Sequence, residues 1–190
     1  MTQSLFVYGS LVERRELLTL LETHGLPPMV EPCAVKGFRR EWNVAMDNRE
    51  DLPRYKYYVD RASGERPACY VTFLNLRRHS GGRVNGAAIT VNEALLSELD
   101  RRERNYRRIR VDDAVEEWPA GAIWAYVGTP DAEARYREGL RTGTALIARG
   151  YYEGVDRAFR GWGARFHQQF LASTVSPDVP LADLVRVELP

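Results

Sequence analysis

The chain begins with a short apolar segment at residues 5–8, which Gly9 and Ser10 interrupt at once. An apolar run of this length followed by a turn is typical of a buried strand. A secretory signal would need a basic start and a longer apolar run ending in small residues. No other segment approaches the roughly 20 apolar residues that a membrane-spanning helix needs. We therefore expect a cytoplasmic protein without a membrane partner.

Strand and helix patterns alternate along the rest of the chain. Strands are predicted at residues 31–38, 42–45, 68–76, 84–91, 106–111, 121–127 and 184–189, with a turn at 80–82 between two of them. Helices are predicted at residues 14–23, after the N-cap Asn92, and from Thr129–Pro130 to about residue 173, with breaks near Gly150 and Gly161. No repeat or linker is visible. The pattern predicts one α+β domain over residues 1–190.

Residues 47–67 are the least regular part of the sequence. A hairpin is predicted between residues 56 and 66, turning at residues 62–64. Three tyrosines lie on or beside it, at positions 55, 57 and 58. They fit either a lid over a pocket or the exposed face of the hairpin.

Charge and composition exclude several classes of function. The 190 residues carry 27 Lys and Arg against 26 Asp and Glu, a net charge of +1. A local cluster of arginines occupies positions 101, 102, 104, 107, 108 and 110, but Asp112, Asp113, Glu116 and Glu117 follow it directly. We expect a solvated, ion-paired face there and no nucleic-acid partner. Cys33, Cys69 and the 3 His have no metal-ligand spacing, so no metal site is predicted.

Two segments carry candidate functional residues. The first is Tyr8-Gly9-Ser10-Leu11, directly after the predicted first strand. The second is residues 99–103, Leu-Asp-Arg-Arg-Glu, at the end of the short helix, with Tyr106 beyond it. Taken alone, the segment at residues 8–11 predicts an ordinary turn. Taken alone, Glu103 is predicted to be an exposed carboxylate paired with Arg101, Arg102 or Arg107.

In this order the two segments resemble the gamma-glutamylcyclotransferase-like family, which includes the ChaC-type enzymes that degrade glutathione. The resemblance covers roughly residues 4–130. It implies an α+β fold with a small mixed or barrel-like sheet and surrounding helices, and it implies that Glu103 is the catalytic acid and base. It also implies that substrate is bound by Tyr8, Gly9, Ser10, Leu11, Tyr106 and Tyr126. The sequence departs from the family in having Arg104-Asn105 where a glycine usually follows the catalytic Glu.

The implied reaction releases 5-oxoproline from a γ-glutamyl peptide or amine, when the α-amine of the substrate attacks its own γ-carbonyl. Nucleophile and electrophile lie in one molecule, so no cofactor or metal is needed, and holding the chain folded can lower the barrier by ~7–11 kcal/mol. One carboxylate can take the proton from the α-ammonium and return it to the leaving nitrogen. Backbone N–H groups at residues 9–11 would bind the α-carboxylate or the oxyanion.

Two alternatives stay open at this point. One is a non-catalytic domain of the same fold that binds a small acidic metabolite. The other is an enzyme that acts by the same chemistry on a γ-glutamylamine. The sequence identifies neither the amine that leaves nor the oligomeric state.

Overall fold

The computed structural model describes residues 3–115 and 121–189. Within these residues the strands are β1 (Gln3–Val7), β2 (Val30–Asp47), β3 (Lys56–Asp60), β4 (Tyr70–Val91), β5 (Tyr106–Arg110), β6 (Ala122–Gly128), β7 (Ala145–Ala148), β8 (Leu181–Ala182) and β9 (Leu184–Glu188). The helices are α1 (Arg14–Thr23), α2 (Glu93–Arg102), α3 (Pro130–Thr142), α4 (Arg149–Arg160) and α5 (Ala164–Ala172).

Seven of the strands form one mixed sheet, in the order β5-β6-β1-β4-β7-β8, with β2 paired to β4. β1 lies between β4, to which it is antiparallel, and β6, to which it is parallel. Leu5, Phe6 and Val7 are buried, as the apolar run at residues 5–8 predicted. The α+β class and the mixed sheet flanked by helices are confirmed.

β2 and β4 are longer than predicted and form a ribbon of 18 and 22 residues. The sequence predicted two separate strands within the range of β2 and two within the range of β4, the latter separated by a turn at residues 80–82. Both divisions were wrong. Gly37 and Gly81 adopt positive φ angles of +75° and +76°, and the pairing shifts register between Lys36 and Phe38. These glycines therefore accommodate an irregularity within the ribbon, where the sequence signal is the same as for a turn.

β3 pairs with β9 in a second, two-stranded antiparallel sheet. The local hairpin predicted between residues 56 and 66 is therefore wrong, although the chain does turn after Asp60, whose N–H donates to the carbonyl of Glu65. The strand predicted at residues 184–189 is confirmed as β9, and it supplies the partner for β3. Pairing across more than 120 residues has no local sequence signal.

The helix starts follow the predicted caps. The Asn92 side chain accepts a hydrogen bond from the N–H of Leu95, and Thr129 Oγ1 accepts one from the N–H of Ala132. The break near Gly161 is confirmed between α4 and α5. The break near Gly150 is also confirmed: strand β7 separates α3 from α4, and Gly150 lies in the first turn of α4.

Ion pairs occupy much of the arginine cluster, as expected. Arg108 pairs with Asp100 at 3.0 Å and Arg110 Nε donates to Asp112 at 2.7 Å; Glu116 and Glu117 lie outside the described residues. Both cysteines are free thiols. None of the helices in the described ranges has the length and apolar character needed to cross a bilayer.

Candidate active site

The two candidate segments meet at one small pocket of about 60 Å³. We call it the loop pocket, and its lining consists of Phe6, Val7, Tyr8, Gly9, Ser10, Leu11, Leu74, Glu103, Tyr106, Tyr126 and Tyr151. All seven residues that the sequence proposed for the site are among them. The structure therefore brings together what the sequence separates by almost 120 positions, while the roles of these residues stay predictions.

The loop at residues 8–11 leaves the sheet at the end of β1. A single 3-10 turn follows at Ser10–Val12, in which the N–H groups of Val12 and Glu13 donate to the carbonyls of Gly9 and Ser10. The N–H groups of Ser10 and Leu11 precede these donors, and amides at the start of a helical turn have no acceptor within it. They are thus suited to bind an anionic oxygen in the pocket.

Gly9 has a φ of −121°, so the turn does not use the left-handed conformation that favours glycine. What matters is its lack of a side chain. A Cβ at Gly9 would lie 3.8 Å from the hydroxyl of Tyr151, another residue of the loop pocket. Glycine leaves this part of the pocket open to a ligand.

Glu103 lies at the C-terminal end of α2, in the tight connection to β5. Its N–H donates to the carbonyl of Leu99 at 2.7 Å, and its own carbonyl accepts from the N–H of Tyr106 at 2.8 Å. Its side chain is 20% exposed and lies 3.5 Å from Arg102 Nε. The backbone is thus fixed on both sides of a carboxylate that is largely screened from water but still reaches the pocket.

The two residues after Glu103 anchor this connection to other elements. Arg104 donates to the carbonyl of Pro53 at 2.8 Å, and Asn105 Nδ2 donates to the hydroxyl of Tyr55 at 2.9 Å. From α3, Arg135 donates to Asn105 Oδ1 at 3.1 Å. Arg104 and Asn105, where this chain departs from the resembled family, therefore form an ordered, hydrogen-bonded turn.

Tyrosine side chains surround the Glu103 carboxylate. Burial is the main cause that raises the pKa of each phenol, and the negative charge of Glu103 adds to the rise in Tyr8, Tyr55, Tyr106, Tyr126 and Tyr151. Three of them are fixed as donors: Tyr8 to the carbonyl of Tyr126 (2.8 Å), Tyr106 to the carbonyl of Leu74 (2.7 Å) and Tyr126 to Asp100 (2.7 Å). These phenols remain protonated near neutral pH, so they donate hydrogen bonds and do not act as bases.

A larger space of about 340 Å³ adjoins the loop pocket. We call it the β3–β9 cavity, and it is lined by Ser10, Tyr55, Lys56, Tyr58, Arg61, Phe73, Arg102, Glu103, Asn105, Tyr106, Ala148, Gly150, Tyr151, Leu184, Val185 and Arg186. Four residues line both spaces, and Glu103 is one of them. Among the described residues around either space, Glu103 supplies the one carboxylate. The tyrosines at positions 55 and 58 are buried in the cavity wall, so they form neither a lid nor an exposed face.

The fully buried side chain of Arg40 hydrogen-bonds to the backbone at the start of the loop. Its Nε donates to the carbonyl of Tyr8 at 2.8 Å. Other donors reach Asn85 on β4 and the hydroxyl of Ser173 after α5, and burial lowers the pKa of the guanidinium to about 9. The last backbone group of the loop before Gly9 is therefore fixed by a residue of β2.

Comparison with known proteins agrees with this geometry. Residues 5–144 match the family described as gamma-glutamyl cyclotransferase, AIG2-like. The chain belongs to this family. No curated protein matches the sequence.

Solved structures of gamma-glutamyl cyclotransferases share the fold. One described as a gamma-glutamyl cyclotransferase aligns with a TM-score of 0.52 and 13% identity, over 94% of this chain and 90% of that one. A yeast gamma-glutamyl cyclotransferase specific to glutathione gives 0.54 and 13%, over 91% and 97%. YkqA from Bacillus subtilis gives 0.55 and 14%, over 90% of this chain and 53% of that one. At 13–14% sequence identity, these comparisons show a shared fold.

Sequence reasoning missed several residues of the site. Arg40 and Tyr151 gave no signal, because nothing in the sequence places β2 or α4 beside the loop. Lys56 was overlooked although the chain has one other lysine, Lys36, among its 27 basic residues. An isolated lysine among tyrosines was the available signal.

Replacement of Arg40 by lysine should lower the free energy of unfolding by about 3 kcal/mol, because one ammonium cannot serve Tyr8, Asn85 and Ser173 together and buried acceptors are left unpaired. Urea denaturation would measure the change. The neighbouring Arg39→Lys is the matched control and should change stability by less than about 1 kcal/mol, since Arg39 is half-exposed in an ion pair with Glu41. Equal effects of the two variants would contradict this role of Arg40.

Proposed function

We propose that this protein is a gamma-glutamyl cyclotransferase that releases 5-oxoproline from a γ-glutamyl substrate. The observation that carries the proposal is the position of the Glu103 carboxylate in the same pocket as the backbone loop at residues 8–11. Membership of the AIG2-like family supports it. A proton-accepting group and a set of N–H donors around one small space are what intramolecular aminolysis requires.

The glutamyl half of the substrate would occupy the loop pocket. Its α-ammonium gives a proton to Glu103, and the free amine then attacks the γ-carbonyl carbon, forming the ring C–N bond. The N–H groups of Ser10 and Leu11 would stabilise the negative oxygen of the tetrahedral intermediate or hold the α-carboxylate. When the intermediate collapses, the bond to the leaving nitrogen breaks, Glu103 returns its proton to that nitrogen, and the ring nitrogen gives up its second proton to solvent. The products are 5-oxoproline and a free amine, and no electrons are exchanged with another reagent.

The enclosure of the site favours this chemistry. The buried tyrosines limit the access of water to Glu103 and to a substrate held beside it. The pocket also restricts the glutamyl chain to folded conformations. The bound substrate therefore loses less conformational entropy on reaching the transition state than the free substrate does. The β3–β9 cavity lies on the other side of Glu103, where the leaving amine would extend.

Glu103→Gln should reduce kcat by roughly 10²- to 10⁴-fold, because the amide cannot carry the proton. The fold should be retained, since the backbone hydrogen bonds at Glu103 do not involve its side chain. Release of 5-oxoproline from γ-glutamyl dipeptides, glutathione and γ-glutamylamines is the measurement. Glu98→Gln on the exposed part of α2 is the control and should keep wild-type turnover.

Activity retained in Glu103→Gln would overturn the assignment of the acid and base. If wild-type protein binds these compounds, as seen by thermal stabilisation, but releases no product from any of them, the domain is a binding module and the proposed reaction is wrong.

Gly9→Ala should leave stability within about 1 kcal/mol of wild type, because the added methyl meets the Tyr151 hydroxyl at an ordinary contact distance of 3.8 Å. The same methyl would project into the loop pocket and displace the substrate, so kcat/KM should fall on the order of 10- to 100-fold. Steady-state kinetics and urea denaturation on the same preparation separate the two effects. Unchanged kcat/KM would show that substrate does not approach this backbone.

A further inference from the structure

The β3–β9 cavity carries an excess of positive charge. Its lining contains Lys56, Arg61, Arg102 and Arg186 against the single carboxylate of Glu103 among the described residues. Three of the four cations have a partner. Arg61 pairs with Asp183 at 2.9 Å, Arg186 pairs with Glu188, and Arg102 lies 3.5 Å from Glu103.

Lys56 is the cation that lacks such a partner. In the described part of the chain, no carboxylate oxygen lies within 4 Å of its Nζ. The ammonium instead lies over aromatic rings, 4.6 Å from the centre of Phe73 and 5.6 Å from that of Tyr55. A partly buried ammonium held against aromatic faces loses hydration and gains most from an anion that approaches its open side.

The pairing of β3 with β9 directs this charge into the cavity. Tyr58 lies opposite Arg186 and Lys56 opposite Glu188. Alternate residues of a strand share a face, and so do directly opposed residues of an antiparallel pair. Lys56, Tyr58, Arg186 and Glu188 therefore share one face of the small sheet. The first three line the same space that Glu103 enters from α2, while Glu188 pairs with Arg186.

We propose that Lys56 binds a carboxylate on the leaving half of the substrate, so that this protein selects γ-glutamyl derivatives of amino acids over those of uncharged amines. The inference rests on the proposed function. With the glutamyl half in the loop pocket and the scissile nitrogen at Glu103, the substituent on that nitrogen extends into the β3–β9 cavity. A carboxylate on its α-carbon then meets the cation on the far wall, with Arg186 beside it.

The test uses two substrates that differ in one charge, γ-glutamyl-alanine and γ-glutamyl-alaninamide. Wild-type kcat/KM should be higher for the acid on the order of 10- to 100-fold, the usual value of a hydrogen bond to a charged partner. Lys56→Met keeps the length and apolar stem of the side chain and should remove this preference. It should do so mainly by raising KM for γ-glutamyl-alanine, with no change for γ-glutamyl-alaninamide. Lys56→Arg should restore part of it. Lys36→Met, the same change at an exposed position of β2, should leave both substrates unaffected.

The preference should also depend on pH. Burial lowers the pKa of Lys56 to about 8, with Arg186 and Arg102 adding to the decrease and Glu103 and Glu188 opposing it. A group with a lowered pKa loses its positive charge as pH rises through that value. The ratio of kcat/KM for acid over amide should therefore fall between about pH 7 and pH 9. Both substrates share the α-ammonium and meet the same Glu103, Glu188, Arg102, Arg186 and Tyr55, so the ratio isolates Lys56.

Binding to Glu103→Gln, measured by calorimetry, separates this inference from the proposed reaction. If wild-type protein turns over neither substrate but the acid still binds more tightly than the amide in a Lys56-dependent way, the reaction is wrong and the carboxylate site stands. If both substrates turn over equally well, or if Lys56→Met weakens both alike, the carboxylate site is wrong and the reaction stands.

Discussion

Arg40 connects the sheet, the helices and the candidate site through one buried guanidinium. It donates to the Tyr8 carbonyl, to Asn85 on β4 and to Ser173 after α5, and its face lies 4.6 Å from the ring centre of Phe159 and 5.1 Å from that of Phe170. Among the described residues it has no carboxylate within 4 Å. A cation in this position is tolerated only when its donors find acceptors, so the elements around it must keep their relative positions. The loop that begins at Tyr8 inherits that rigidity.

The sheet order then explains why an N-terminal turn and a mid-chain glutamate form one site. β1 pairs with β4 on one side and with β6 on the other, and α2 starts directly after β4 and ends at Arg102, one residue before Glu103. The connection from Glu103 to β5 returns the chain to β6. The carboxylate is thus held beside the end of β1 by backbone pairing. Tyrosines fill the remaining space, and the hydroxyls of three of them donate to acceptors in the fold.

The small β3–β9 sheet adds a second wall to this arrangement. It carries Lys56, Tyr58 and Arg186, and Asn105 links the Glu103 turn to Tyr55 just before β3. The loop pocket and the β3–β9 cavity are therefore joined through hydrogen bonds. Under the proposed function the loop pocket would determine the reaction and the β3–β9 cavity would determine which amine leaves, so the two could vary separately on one fold.

The elements with local signals could be predicted without the structure. The caps Asn92 and Thr129 define helix starts because their side chains bond N–H groups three residues away, and the apolar run at residues 5–8 indicates a buried strand whatever its partners are. The order of the motifs at Tyr8 and Glu103 also identified the family. Three-dimensional contacts were needed to show that Gly37 and Gly81 lie within continuous strands, that β3 pairs with β9, that Arg40 binds the start of the loop, and that Lys56 lines the β3–β9 cavity. Strand pairing and the partners of a buried charge depend on residues far apart in the chain, and local propensity carries no information about them.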